Sequence, residues 1–304
     1  MSAELVQQCV NWLTLGSTYA LIALGFSLLF GVLKVIHFSH GDVSHLAPFI
    51  AIGTVQVLAV WAGSSTGSLL AACVVAILAT GCIGILLDWL VIRRFRNAPA
   101  MMALVATVAL GIVLRELVRH IYPNGSNPHA FPQIVSGRVS LPGGFEIPAF
   151  SLFTMAISAA AGGLLFWLLH RTWLGVQIRA VSQDREAARL VAINPDRVFW
   201  VTFFAASAIG AVGGLFQAGY AGVIRFDFSI QAGLIGFSAA VIGGLGSMGG
   251  AVVGSLVIAG IETLIMALLP NASAYRLAAI FLVVIVLLIF RPAGLFGTVA
   301  TEKV

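Results

Sequence analysis

Residues 10–35 read VNWLTLGSTYALIALGFSLLFGVLKV, and this run decides the fold class. As a helix it would rise about 39 Å, more than the roughly 30 Å of bilayer hydrocarbon, so it can cross with tilt. A membrane β-barrel would instead need segments of about ten residues alternating apolar and polar. The apolar runs here continue for about twenty residues or more, which is helix length. The composition agrees: of 304 residues, 60% are hydrophobic and 9% charged, with mean hydropathy +1.05, whereas a soluble domain carries about 25% charged residues. The expectation is an all-α, polytopic transmembrane helix bundle, one domain over residues 1–304.

Outward from this run, the N-terminal side carries Glu4 and no early Lys or Arg, and the first apolar run is too long for the h-region of a cleavable signal peptide. On the other side lies HFSHGD, His37 to Asp42, a polar knot before a second apolar run to about residue 61. It reads either as a turn between spans or as the break in a discontinuous helix, which membranes tolerate where it faces protein or a water-filled path. A GSSTGS turn at 63–68 precedes a third span ending at Arg93, Arg94, Arg96 and Pro99. Further spans are expected at 101–122, 150–170, 199–224, 232–248, 251–269 and 274–290, with an external Pro/Gly-rich loop at 123–148 and a short external turn at Arg225–Asp227.

Charge sets the orientation. Eleven Lys and Arg fall on the side holding Arg93–Arg96, Arg291 and Lys303, against three (Arg138, Arg225, Arg276) on the other. The positive-inside rule makes the first side cytoplasmic, with nine crossings, or eight if the second or seventh segment is re-entrant. A chain of this kind uses its positive excess for topology, not for nucleic acid.

The longest polar interval, RTWLGVQIRAVSQDREAARLVAINPDRV at 171–198, holds eight of the 27 charged residues. Ser182 is the expected N-cap of a short helix from Gln183 to Ile193, and Asn194-Pro195 the left-handed stop. Ala187, Leu190, Val191 and Ile193 fall near one side, while Asp184, Arg185, Glu186 and Arg189 cover the rest. So short a helix needs a surface to dock on, either its own membrane domain or a soluble partner.

Several motifs are set aside by context. Gly244, Gly246 and Gly249 spell GxGxxG, but inside membrane-length hydrophobicity and not in a βαβ unit, which excludes a dinucleotide site. Gly246, Gly250 and Gly254, like Gly210 and Gly214, recur four apart, a spacing that lets helix backbones approach closely in lipid or breaks a segment lining a path. His37, His40, His45 and Asp42 lack a second acidic cluster to complete a metal cage. Cys9, Cys73 and Cys82 are expected as buried core residues. Glu262, ionisable within an apolar segment, is a functional candidate by default and should have an interior partner, with Arg115 available. Neither lysine completes GxxxxGK[ST], so any ATPase must be another subunit, and Leu245 spoils GxSxG at Ser247. The rival class, a self-sufficient channel or secondary transporter, would have only Glu262 and the Arg115/Glu116 pair for ion coupling.

Four stretches carry a family resemblance: HFSHGD at 37–42, IRAVSQDREAARLVAINPDRV at 178–198 with its EAA at 186–188, SAAVIGGLGSMGGAVVGSLVIAGIE at 238–262, and RPAGLFG at 291–297. Together they resemble the H-type membrane permease of the high-affinity branched-chain amino acid (Liv) ABC importers, over almost the whole chain. His37, Ser39 and Ala192 depart from the usual Asn, Ala and Gly. The resemblance implies a non-enzymatic permease subunit of the bacterial inner membrane, translocating branched-chain amino acids. Related permeases of the same family carry urea, short amides or aromatic acids. It implies a second homologous permease, two ATP-binding cassette subunits that hold ATP and Mg, a periplasmic substrate-binding protein, and no cofactor in this chain. ATPase docking would fall to Arg179, Ser182, Asp184, Glu186, Ala187, Arg189, Leu190 and Ile193, and the translocation path to His40, Gly41, Asp42, Gly244, Gly246 and Glu262.

Overall fold

The computed structural model describes residues 3–62, 66–96, 98–141, 145–268 and 275–297. Lys303 and parts of the expected 63–68 turn, the 123–148 loop and the 269–274 connection lie outside them. Among the described residues, seven helices are long and apolar enough to cross a membrane: Glu4–Leu33, His40–Val60, Thr66–Phe95, Ala100–Ile121, Ala149–Arg171, Pro195–Ala221 and Met248–Leu268. Two shorter apolar helices, Phe228–Gly243 and Arg276–Phe290, have 16 and 15 residues. They rise about 24 and 22 Å, short of the roughly 30 Å hydrocarbon core. By length, seven of the described helices match a full crossing, against the eight or nine segments expected from hydropathy and charge.

The first helix, α1 (Ala3–Leu33), is the axis of the bundle. It is packed by α7 (Ala149–Arg171), α10 (Pro195–Ala221), α11 (Phe228–Gly243) and α12 (Met248–Leu268). A helix buried on so many sides must satisfy its own polar groups. Thr14 and Thr18 do so by donating to the carbonyls of Val10 and Thr14 at 2.7 and 3.0 Å. α1 and α12 run antiparallel: Gly31 lies by Gly246 at one end, while Asn11 and Leu15 share a cleft with Met266 at the other. The first end gathers Lys34, Arg93, Arg96, Arg179 and Arg185 and is here called the arginine-rich end.

Local chemistry moves several boundaries. After Leu33 the chain turns at Lys34 (φ 57°) and re-enters the bundle, and the knot begins a five-residue helix, α2 (His40–Ser44), that runs on into α3 (Leu46–Ala62). Every residue of α2 is buried, so the knot is a helix start inside protein and not a solvated turn. Next come α4 (Thr66–Leu87), a π-helical turn at Asp88–Ile92, the short α5 (Arg93–Phe95) and α6 (Ala100–Ile121). The expected external loop contains β1 (His129–Ala130), β2 (Arg138–Leu141) and β3 (Phe145–Pro148). β2 and β3 form a hairpin, and β1 pairs antiparallel with β4 (Val223–Ile224) beyond α10, small additions to an otherwise helical chain.

The polar interval does not form one helix from 183 to 193. It divides into α8 (Trp173–Gln183) and α9 (Arg185–Leu190). The N-cap of α9 is Asp184, not Ser182: its carboxylate accepts from the backbone N–H of Glu186 and Ala187 at 2.8 and 3.0 Å, while Ser182 sits in the last turn of α8 and donates to the Arg179 carbonyl. A carboxylate at a helix start also complements the dipole. The left-handed residue after α9 is Ala192 (φ 60°), not Asn194. Ala192 N–H bonds the Arg189 carbonyl and Ile193 N–H the Ala188 carbonyl, a Schellman closure in which an L-residue costs roughly 1 kcal/mol more than glycine. Asn194 instead caps α10, accepting from Asp196 and Arg197 N–H ahead of Pro195 at the first helical position.

The Gly-rich corner also shifts. α11 ends at Gly243 and α12 begins at Met248, so Gly246 lies in the corner at φ 86°, packed on Gly31 of α1, while Gly250 and Gly254 of α12 meet Gly243 and Ala239. Gly244, at φ 101°, makes the turn that a side chain would strain. RPAGLFG folds back here after α13 (Arg276–Phe290): Leu295 and Phe296 N–H bond the carbonyls of Ile242 and Gly243, occupying the end of α11. Cys73 is buried as expected, whereas Cys9 and Cys82 are exposed, as apolar residues can be on a membrane protein's outer face.

Candidate functional site

The expected path residues fall in three places along α1. His40, Gly41 and Asp42 form a closed knot at mid-bundle. The His40 ring meets Phe26 edge-on at 4.8 Å and lies against Gly25 and Gly210. A side chain at Gly41 would meet the Gly233 backbone of α11 at 2.5 Å, so glycine allows the two helices to touch. Asp42 pairs with Arg115 of α6 at 2.7 Å and accepts from Ser229 of α11 at 2.6 Å. Arg115, weighed in the sequence as a partner of Glu262, therefore belongs to Asp42. Gly41 and Asp42 are thus built into contacts between helices.

Glu262 lies at the other end of the bundle, and its partner is Arg276 at 3.0 Å, with the Tyr19 hydroxyl donating at 2.8 Å. Sequence reasoning placed Arg276 in an outer turn and passed over Tyr19. An isolated carboxylate on an apolar helix could have pointed to a basic residue at the start of the next one. The pair stands on the wall of a cleft of about 410 Å³, which Gln217, Tyr220, Gln231 and Met266 also line. The Gln217 amide oxygen lies 3.1 Å from His45 Nε2, and His45 Nδ1 lies 3.0 Å from the Gly41 carbonyl, so the cleft wall is joined to the knot.

Gly246 lines a second cavity of about 420 Å³ at the arginine-rich end, with Ser27, Gly31, Lys34, Arg179 and Ser182. Gly244 packs on Gly297 instead. Ile22 of α1 fills the space beside Gly213 and Gly236, packing α1 against α10 and α11. The arrangement is two polar recesses near opposite ends of one helix.

The expected docking residues are spread over α8, α9 and the turn after it, Arg179 and Ser182 lining the second cavity and Arg189 and Ile193 another recess, with a correction to the buried face of α9. Ala188, not Ala187 or Leu190, faces the core, at 3% exposure, and Ile193 packs partly beneath it. Leu190 and Val191 are 89% and 67% exposed, two apolar side chains without cover on a charged segment. Behind α9 stands a cluster the sequence did not reveal. Arg96 pairs with Asp88 and, at 2.8 Å, with Asp196; its guanidinium lies 3.8 Å over the Phe199 ring. Arg185 of α9 donates to the Arg96 carbonyl at 3.3 Å and lies 5.1 Å from the same ring. Burial first, and then the Arg96 charge, lower the Arg185 pKa from its ordinary value. The spacing Asp88–Arg96, across a π-turn, was the available signal. No group of three or more His, Cys, Asp or Glu able to hold a metal occurs among the described residues.

Comparison with known proteins places the chain. Residues 8–290 match the family described as branched-chain amino acid transport system / permease component. The high-affinity branched-chain amino acid transport system permease protein LivH of Escherichia coli K12 is 32% identical over 98% of this chain and 97% of its own length. The corresponding permease protein BraD of Pseudomonas aeruginosa is 30% identical over 98% of each. Among solved structures, a metal-chelate type ABC transporter in an inward-facing conformation aligns over 93% of this chain and 87% of its own with 14% identity and a TM-score of 0.48, so the helix arrangement here rests on its own contacts. On the match across most of its length and the near-complete relatives, the chain belongs to the branched-chain amino acid transport system permease family.

Proposed function

We propose that this chain is the membrane-spanning, non-enzymatic permease subunit of an inner-membrane ABC importer for branched-chain amino acids or a closely related amino acid or amide. It works with a second homologous permease, two ATP-binding cassette subunits that bind ATP and Mg, and a periplasmic binding protein, and needs no cofactor of its own. The observation that carries this reading is α9: a six-residue helix with Leu190 and Val191 uncovered, held by Arg185 and Ala188 against the arginine-rich end. So short a helix does not persist on its own, and exposed apolar side chains at a charged surface favour a protein partner. The positive-inside rule puts that end in the cytoplasm, where ATPases are.

In this reading, closure of the ATPases moves α9, and the Arg185–Arg96–Asp196 contacts carry the displacement into α10 and the α4 end. The knot at Gly41–Asp42 and the Gly244–Gly246 corner are the elements that exchange arrangements while the two recesses take turns opening. Affinity purification of the full chain from native membranes in mild detergent, with mass spectrometry, tests the assignment. Two P-loop ATPases and a second permease are the expected partners. Recovery of the chain alone and still competent for uptake would favour a self-sufficient transporter.

A further inference from the structure

We infer that the cleft beside Glu262 and Arg276 is a binding site for a free zwitterionic α-amino acid within the permease itself. The inference rests on the importer reading but adds a site to it.

The cleft's charges are its argument. It presents one carboxylate and one guanidinium, 3.0 Å apart, among neutral amides and two phenols. An anion alone would meet Glu262, and a cation alone Arg276; a ligand carrying both charged groups on one carbon satisfies the pair. Glu262 is buried at 3% side-chain exposure, and the Tyr19 hydroxyl fixes one oxygen while Arg276 takes the other. Arg276 is 33% exposed, so its guanidinium faces the cleft, and five N–H donors leave it able to hold Glu262 and a ligand carboxylate together. The ammonium of the ligand is then placed by the amide oxygen of Gln231, in the negative field of Glu262. Met266 and Leu15 supply an apolar wall for a side chain, and about 410 Å³ lies within the roughly 300–1,000 Å³ of small-molecule sites. Gln217, bonded to His45, gives an occupied cleft a contact with the knot.

The test uses the purified full-length chain in lipid nanodiscs, titrated by thermal shift with each of the twenty common α-amino acids, L-leucinamide, isovalerate and urea, with ATPase association measured on the same membranes. Expected is saturable stabilisation by one or more amino acids and not by leucinamide, isovalerate or urea. Glu262→Gln and Arg276→Gln should each weaken that binding at least tenfold. Because either change removes half of a buried ion pair and disturbs folding, Met266→Trp, which fills the cleft and spares the pair, should abolish binding while leaving the ligand-free melting temperature near that of the parent. Absence of any amino acid effect, equal binding of leucinamide or urea, or unaltered binding in all three variants overturns the site. ATPase association without amino acid binding removes the site and leaves the importer reading; binding without association keeps the site and removes the importer reading.

Discussion

Two arginine–carboxylate pairs close opposite ends of this bundle, and they are packed differently. At the arginine-rich end, the Arg96 side chain is 7% exposed, shared between Asp88 and Asp196, and stacked on Phe199, so its surroundings are full. At the far end, Arg276 serves Glu262 from the wall of an open cleft and is 33% exposed. The ionic chemistry is the same; the packing around it makes one pair a rigid joint between helices and the other a surface that a ligand can reach.

The sharpest way to break this contrast is Arg96→Met, which leaves Asp88, 0% exposed, as an uncompensated buried charge. The expected loss is about 3–5 kcal/mol, seen as depleted folded protein in the membrane and a lowered melting temperature. Adding Asp88→Asn should recover most of it; a single variant as stable as the parent would remove the rigid joint. Arg276→Gln should cost less, about 2 kcal/mol, because the Tyr19 hydroxyl still donates to Glu262 and solvent reaches the cleft. Equal losses in the two variants, by urea melts in nanodiscs, would erase the distinction.

Smaller effects refine the arginine-rich end. Asp184→Ala removes the cap of α9 and should cost about 1 kcal/mol locally, visible as faster amide exchange at Glu186 and Ala187 with the bundle unchanged. Leu190→Asp should alter folding by under about 0.5 kcal/mol, since that side chain is 89% exposed, yet weaken ATPase co-purification. Undiminished co-purification would count against docking through α9.

Some of the site could be read directly. The polar interval at 171–198, the basic cluster at 93–96 and the ionisable Glu262 stand out because each interrupts a run of apolar residues. Their partners do not stand out. Tyr19 is 243 residues from Glu262, Ser229 is 187 from Asp42, and Arg185 is 89 from Arg96, and no periodicity links them. The cap was misread for a different reason: Ser182 and Asp184 are both good N-caps, and only the backbone, extended at Asp184, chooses between them.

By itself the sequence determined that this is a polytopic helical membrane protein, which end carries the arginines and where a cytoplasmic segment would protrude. Those follow from hydropathy and charge summed over neighbouring residues, which any chain segment carries alone. Tertiary structure decided that Arg115 holds Asp42 and Arg276 holds Glu262, that Gly246 turns a corner packed on Gly31 of α1, and that two recesses lie near opposite ends of α1. Each is a contact between helices distant in sequence. Their angles and depths are set by how the surfaces of all the helices fit at once.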